Sequence, residues 1–183
     1  IGVNPHSNTG VYPWSAPVNV ASKTCLVRIT DPNNSAATDV SDSNFEVRAK
    51  IEVTSPILND EWNVNGTYPI SWTVTGVVTN VKIEFSKDGG GSYNLTLVAS
   101  RQSDQSPYPW TILPGQDVIS DNSKIRVADA SYEVVNGTSP RFGVLGDVEV
   151  TDPEGTDKLI VGTPFNIQWT SVGAGNIVIS YST

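Results

Sequence analysis

Residues that carry chemistry are scarce in this sequence. It contains one cysteine, one histidine and no methionine in 183 residues. Cys25 has no partner for an internal disulfide, and His6 has no companion. Zinc sites, Cys-His nucleophiles and Ser-His-Asp triads need several such residues or a suitably placed one. Charge is sparse as well, at 16% against about 25% in average soluble chains, and Ser, Thr, Asn and Gly fill the deficit. Among the 19 carboxylates no spacing singles out the acid and base of a glycosidase. These absences lead to the expectation of a protein that is not an enzyme and needs no cofactor.

The charge that is present is acidic. Eleven Lys and Arg against 19 Asp and Glu give a net charge of −8, which repels phosphate backbones and anionic bilayers, so no nucleic-acid partner is expected. No run approaches the ~18 apolar residues of a membrane-spanning helix, and no membrane span is expected. The opening Ile1-Gly2-Val3-Asn4-Pro5 lacks the basic and apolar regions of a signal peptide. With no initiator methionine, the expectation is a processed chain or a segment of a longer one.

The sequence repeats itself at an offset of 96 to 98 residues. Tyr12-Pro13-Trp14 recurs as Tyr108-Pro109-Trp110, Val27-Arg28-Ile29 as Ile125-Arg126-Val127, and Phe45-x-Val47 as Phe142-x-Val144. Ile51-Glu52-Val53-Thr54-Ser55-Pro56 returns as Val148-Glu149-Val150-Thr151-Asp152-Pro153, Ile70-x-Trp72-Thr73 as Ile167-x-Trp169-Thr170, and Val81-Lys82-Ile83-Glu84-Phe85 as Ile177-Val178-Ile179-Ser180-Tyr181. The matches keep their order. They divide the chain into residues 1–49, the C-terminal part of a unit; 50–146, a complete unit; and 147–183, the N-terminal part of a third.

Within the complete unit, alternation marks strands. Val81, Ile83 and Phe85 fall on one face and Lys82, Glu84 and Ser86 on the other. Ile51–Thr54, Ile70–Thr75, Tyr93–Leu97, Tyr108–Ile112, Lys124–Val127 and Arg141–Leu145 bring the number to seven, with Asp88-Gly89-Gly90-Gly91, Leu113-Pro114-Gly115 and Asn136-Gly137 read as turns between them. No stretch of ten residues has helical periodicity. About seven short strands in ~100 residues predict an all-β fold of tandem immunoglobulin- or fibronectin-III-like β-sandwich repeats. Trp14, Trp72, Trp110, Trp169, Phe45 and Phe142 are the expected structural core. Val47–Ile51 and Val144–Val148 leave almost no linker, which predicts stiff junctions.

The repeated motifs Ile51-x-Val53-x-x-Pro56, Ile70-x-Trp72, Tyr108-Pro109-Trp110 and Ile125-Arg126-Val127 resemble those of the Ser/Thr-rich, glycosylphosphatidylinositol-anchored cell-wall repeat family of fungi and its bacterial tandem-repeat surface-protein relatives. The resemblance covers essentially the whole chain. It implies an extracellular, cell-surface location and a sandwich fold, and it implies no activity. The Ser86-x-Asp88-x-Gly90-x-Ser92-Tyr93 stretch is similar to the Asp-box of sialidase-type propellers, which implies a turn tied by the Asp side chain and no catalysis.

Four further features predict surface roles. Asn33, Asn65, Asn94 and Asn136 head Asn-x-Ser/Thr sequons and are candidate glycosylation sites. Trp62, outside the repeated motifs, is a candidate glycan contact, since an indole face stacks on a sugar ring. Asp147, Glu149, Asp152, Glu154 and Asp157 form an acidic cluster at a unit junction; the net charge already predicts it as a solvated rim, and calcium bound between sandwiches is the alternative. The expected partners are other copies of the chain, neighbouring repeats of a longer chain, and cell-surface glycans. The leading expectation is a structural segment of a surface layer, cell wall, stalk or filament; the alternative is a carbohydrate-binding or adhesion module attached to a larger secreted enzyme or adhesin.

Overall fold

The computed structural model describes residues 6–182; the Ile1–Pro5 stretch read above for a leader lies outside them. The described residues are all-β, with several sheets and no helix. In chain order the strands are β1 (Ser22–Cys25), β2 (Arg28–Asp31), β3 (Asn34–Val40), β4 (Phe45–Val47), β5 (Lys50–Ser55), β6 (Glu61–Asn63), β7 (Thr67–Thr75), β8 (Asn80–Ser86), β9 (Leu95–Gln102), β10 (Tyr108–Thr111), β11 (Ser120–Asp129), β12 (Tyr132–Thr138), β13 (Phe142–Leu145), β14 (Asp147–Asp152) and β15 (Gln168–Val172).

Residues 50–146 hold two sheets facing one another across a single core. One sheet has the order β10-β7-β5; the other runs β6-β13-β11-β8-β9, with β12 also paired to β11. Alternation puts Ile51 and Val53 of β5, Ile70 and Trp72 of β7, and Trp110 of β10 against Val81, Ile83 and Phe85 of β8, Ile125 and Val127 of β11, and Phe142 and Val144 of β13. Trp110 meets Phe85 at 5.2 Å between ring centroids, a direct contact between the two sheets. Trp72 is buried with its Nε1–H donating to the carbonyl of Ser103 at 2.9 Å, so its polar edge is satisfied.

Two strands were not legible in the alternation. β6 is three residues long, too short for a period-two pattern, and pairs with β13 in parallel. β12 contains Asn136-Gly137, read above as a turn. The glycine serves a close approach instead: a Cβ on Gly137 would lie 2.3 Å from the carbonyl oxygen of Ile51. β12 therefore lies against the backbone of β5 and closes that side of the sandwich. At Ser139 the chain leaves β12 for β13, and the Ser139 hydroxyl accepts the Ile125 N–H at 2.9 Å where the ladder changes partner.

The pairings themselves repeat. β5 and β7 pair as Lys50↔Thr75, Ile51↔Val74, Glu52↔Thr73 and Val53↔Trp72, with a shift before Ser55↔Ser71. β14 and β15 pair as Asp147↔Val172, Val148↔Ser171, Glu149↔Thr170 and Val150↔Trp169, with a shift before Asp152↔Gln168. Every partner and the irregularity are displaced by 97. β2 and β3 reproduce β11 and β12 at a displacement of 98, including the shift between Thr30 and Asp31 that matches Ala128 and Asp129. β1 and β4 reproduce the pairing of β11 with β13.

Burial does not repeat, and two expected core residues are corrected. Trp72 and Trp110 are 4% and 3% exposed, whereas their counterparts Trp169 and Trp14 are 40% and 36% exposed. Phe45 is half-buried, edge-on to Trp14 at 6.0 Å, while Phe142 is buried. The physical reason is that residues 6–49 and 147–182 each lack the facing sheet that covers the same positions in residues 50–146. The chain between the units is short: two residues separate β4 from β5, and Gly146 alone separates β13 from β14.

Candidate functional site

Three clusters of polar side chains in and beside the central unit are candidates for chemistry. The first is the hairpin after β8. Gly89 and Gly90 have φ of 74° and 93°, the left-handed region that favours glycine. Their turn lets Asp88 fold back: its carboxylate accepts the hydroxyls of Ser86 and Ser92 at 2.6 Å and the Ser92 N–H at 2.9 Å. The Ser86 hydroxyl also accepts the Gly90 N–H at 2.9 Å. The Ser86 hydroxyl, then the Ser92 hydroxyl and amide, hold the Asp88 carboxyl well below the usual carboxylate range. A carboxylate engaged on both oxygens ties the turn.

The second is an ion cluster on the outer face of β8 and β11. Glu84 is buried; it accepts from Arg126 at 2.6 Å and from Lys82 at 2.7 Å, and Lys82 also reaches Glu133 at 3.0 Å. The hydrogen bonds to Glu84 and Glu133 raise the Lys82 ammonium above its ordinary value. Arg126 lies over the ring of Tyr93 at 4.3 Å. Two carboxylates, two cations and one aromatic ring fasten β8, β11 and β12 from outside, with each charge paired.

The third is the junction between residues 6–49 and the central unit. A cleft of about 210 Å³ there is lined by Lys23, Glu46, Val47, Arg48, Tyr132 and Val135 among others. The Lys23 ammonium sits 3.4 Å from the centroid of Tyr132, whose hydroxyl donates to Glu46 at 3.4 Å, and Arg48 pairs with Glu46 at 2.7 Å. The bond from Arg48 lowers the Glu46 carboxyl. Val47 is buried and Gly76, at φ 105°, admits Ala49 so closely that a Cβ would lie 2.8 Å from its Cα. This arrangement docks one unit on the next through an aromatic ring and an ion pair.

The remaining site expectations resolve as follows. Trp62 is 5% exposed, with its ring flat on Tyr68 and close to Phe142 and Trp110; it is a core residue and offers no face to a glycan, which corrects the reading above. The alternation of Trp62 and Val64 was the missed signal, since both are buried. Among the described residues no three His, Cys, Asp or Glu side chains converge to hold a metal. In the acidic cluster, Asp157 caps the Glu154 N–H at 2.6 Å and Asp152 accepts from Gln168 at 3.2 Å.

Asn33, Asn65, Asn94 and Asn136 are all exposed; Asn65 has φ 67° in a turn, and Asn136 lies on β12 rather than in a turn. Cys25 is half-buried, its Sγ donating to the Ser22 carbonyl at 3.9 Å, where its counterpart Ser123 is fully buried. His6 packs on Tyr12 at 4.5 Å. No family model matches the chain, and no curated protein matches it.

Proposed function

We propose that this chain is a non-catalytic structural segment of a secreted, repetitive cell-surface protein, as surface-layer, cell-wall, stalk or filament material, built from tandem immunoglobulin- or fibronectin-type sandwiches. The observation that carries this reading is the return of one set of strand pairings at displacements of 97 and 98 residues, with nearly no chain between the units. A repeat joined without slack transmits force and position from unit to unit, which a scaffold needs. The polar side chains that would otherwise suggest chemistry at Asp88, Glu84 and Glu46 are engaged in a turn, a strand clamp and a junction. The sparse charge and four exposed sequons suit an extracellular surface, as does the resemblance to the cell-wall repeat family.

Antibodies raised against the central unit test the location. The expected result is labelling of intact cells of the source organism, with an altered envelope in electron micrographs after deletion of the gene. Labelling only after permeabilisation, or an unchanged envelope, overturns the reading.

A further inference from the structure

The central unit contains the stretch Val-Asn-Gly-Thr twice, at residues 64–67 and 135–138. In an Asn-Gly pair the glycine backbone nitrogen can attack the asparagine side chain before it, because glycine has no Cβ to shield that nitrogen. With the local sequence the same at both places, the fold decides where the reaction proceeds. Asn65 and Asn136 are both exposed, so access of water does not separate them.

At the second copy everything that must move is held. Asn136 and Gly137 lie in the β11–β12 ladder, opposite Ala128 and Val127. The Asn136 side-chain nitrogen donates to the carbonyls of Glu133 at 2.8 Å and Val134 at 3.4 Å. Gly137 is pressed on β5, where a Cβ would lie 2.3 Å from the Ile51 carbonyl oxygen. Cyclisation there waits on local opening of the strand.

The first copy forms the turn between β6 and β7. Asn65 has φ 67°, a left-handed conformation that asparagine tolerates better than most residues. Its carboxamide reaches solvent and, among the described residues, takes part in no hydrogen bond. The Gly66 N–H donates to the Asn63 carbonyl at 3.2 Å. Glycine is required at 66 because a Cβ would lie 2.5 Å from the Tyr68 ring. The turn therefore demands the pair of residues that is chemically labile.

We propose that Asn65 is a site of spontaneous modification. The Gly66 nitrogen attacks Cγ of the Asn65 side chain, the side-chain nitrogen leaves as ammonia with the glycine proton, and a cyclic imide closes. Water then opens the ring at one carbonyl or the other, giving isoaspartate or aspartate. The net change is one water gained and one ammonia lost, with no oxidant and no enzyme. Isoaspartate places the side-chain Cβ in the main chain and leaves a carboxylate. The Asn65 N–H donates to the Ile112 carbonyl at 2.8 Å and the Ile112 N–H to the Gly66 carbonyl at 3.0 Å, one bond on each side of the lengthened link. Both bonds cannot survive the insertion, so the central unit loosens between this turn and the end of β10. This inference goes beyond the scaffold reading and does not rest on it.

The test uses the whole 183-residue chain, made in a bacterial cytoplasm so that its sequons carry no glycan, and held in mildly alkaline buffer for weeks. Peptide mass spectrometry reads the amide-to-acid conversion at each site, and methylation by a protein-isoaspartyl methyltransferase reads the isoaspartate. In the folded chain Asn65 is expected to convert at least about tenfold faster than Asn136, a ratio that requires only ~1.4 kcal/mol of opening cost at β12. In concentrated urea the two rates are expected to converge. The urea midpoint of the aged chain falls, while that of Asn65→Gly, which keeps the left-handed turn without the carboxamide, stays constant with time. Equal rates at the two sites in the folded chain, a faster Asn136, or an Asn65 that stays intact while the unfolded chain converts overturns the proposal. A midpoint that falls equally in Asn65→Gly, or that holds in a chain converted at Asn65, overturns the loosening.

Discussion

The indole of Trp62 lies flat on the phenol ring of Tyr68, with ring centroids 4.9 Å apart and planes 4° from parallel. The Tyr68 hydroxyl accepts the N–H of Asn63 at 2.8 Å, and a Cβ on Gly66 would lie 2.5 Å from the same ring. One aromatic pair thus anchors the three-residue strand β6 to β7, across the edge of the sandwich. A strand this short has too few ladder bonds to hold itself.

Trp62→Ala is therefore expected to lower the stability of the central unit by about 3–5 kcal/mol, the range for deleting a buried large aromatic. Urea unfolding followed by circular dichroism measures it. Glycan-array signal from the intact chain should be independent of this residue, because a folded Trp62 presents no surface to a sugar.

Gly137→Ala should cost about 1–3 kcal/mol through overpacking, since the added methyl meets the Ile51 carbonyl and β12 must move away from β5. Thermal unfolding checks this. A stability equal to the parent would mean that β12 does not rest on β5.

Ser139 and Ser41 provide a matched pair. Ser139 accepts the N–H of Ile125 at 2.9 Å, and Ser41 accepts the N–H of Val27 at 3.2 Å, 98 residues earlier. Ser139 is buried and Ser41 is exposed. Ser139→Ala leaves a buried N–H unpaired and is expected to cost about 1–3 kcal/mol. Ser41→Ala leaves its N–H to water, with an expected effect within about 0.5 kcal/mol. Denaturation of the two variants side by side reads the difference.

Asp88 predicts a pH dependence. The hydroxyls of Ser86 and Ser92 depress its folded value below the unfolded value of about 3.9. Its contribution is complete above that unfolded value and is lost progressively as pH falls toward the folded one, because the unfolded chain then binds the proton more readily. Asp88→Ala should flatten the fall in urea midpoint below about pH 4, while removing a constant amount of stability at neutral pH. Equal acid slopes for the two proteins would contradict the bonding described for this turn.

Strands with several alternating apolar residues are legible in the sequence, as β5, β7, β8 and β11 show. β6 and β12 are not. One is shorter than the pattern needs, and the other carries an Asn-Gly pair whose turn propensity is local while the contact requiring its glycine is with a strand more than eighty residues away. The same limit applied to two of the three polar clusters, whereas the Ser86-Asp88-Ser92 turn is local and legible. Glu84 and Arg126 are 42 residues apart, and Tyr132 and Glu46 are 86 apart, so no spacing rule joins them.

Periodicity, composition and charge by themselves determined that the chain is β-structured, repeats at about 97 residues and carries a single cysteine and a single histidine. These properties reside in local order along the sequence. The folded structure alone decided which repeated tryptophans are inside. Trp72 and Trp169 share a motif and a strand register, yet burial depends on a facing sheet, and among the described residues only Trp72 has one.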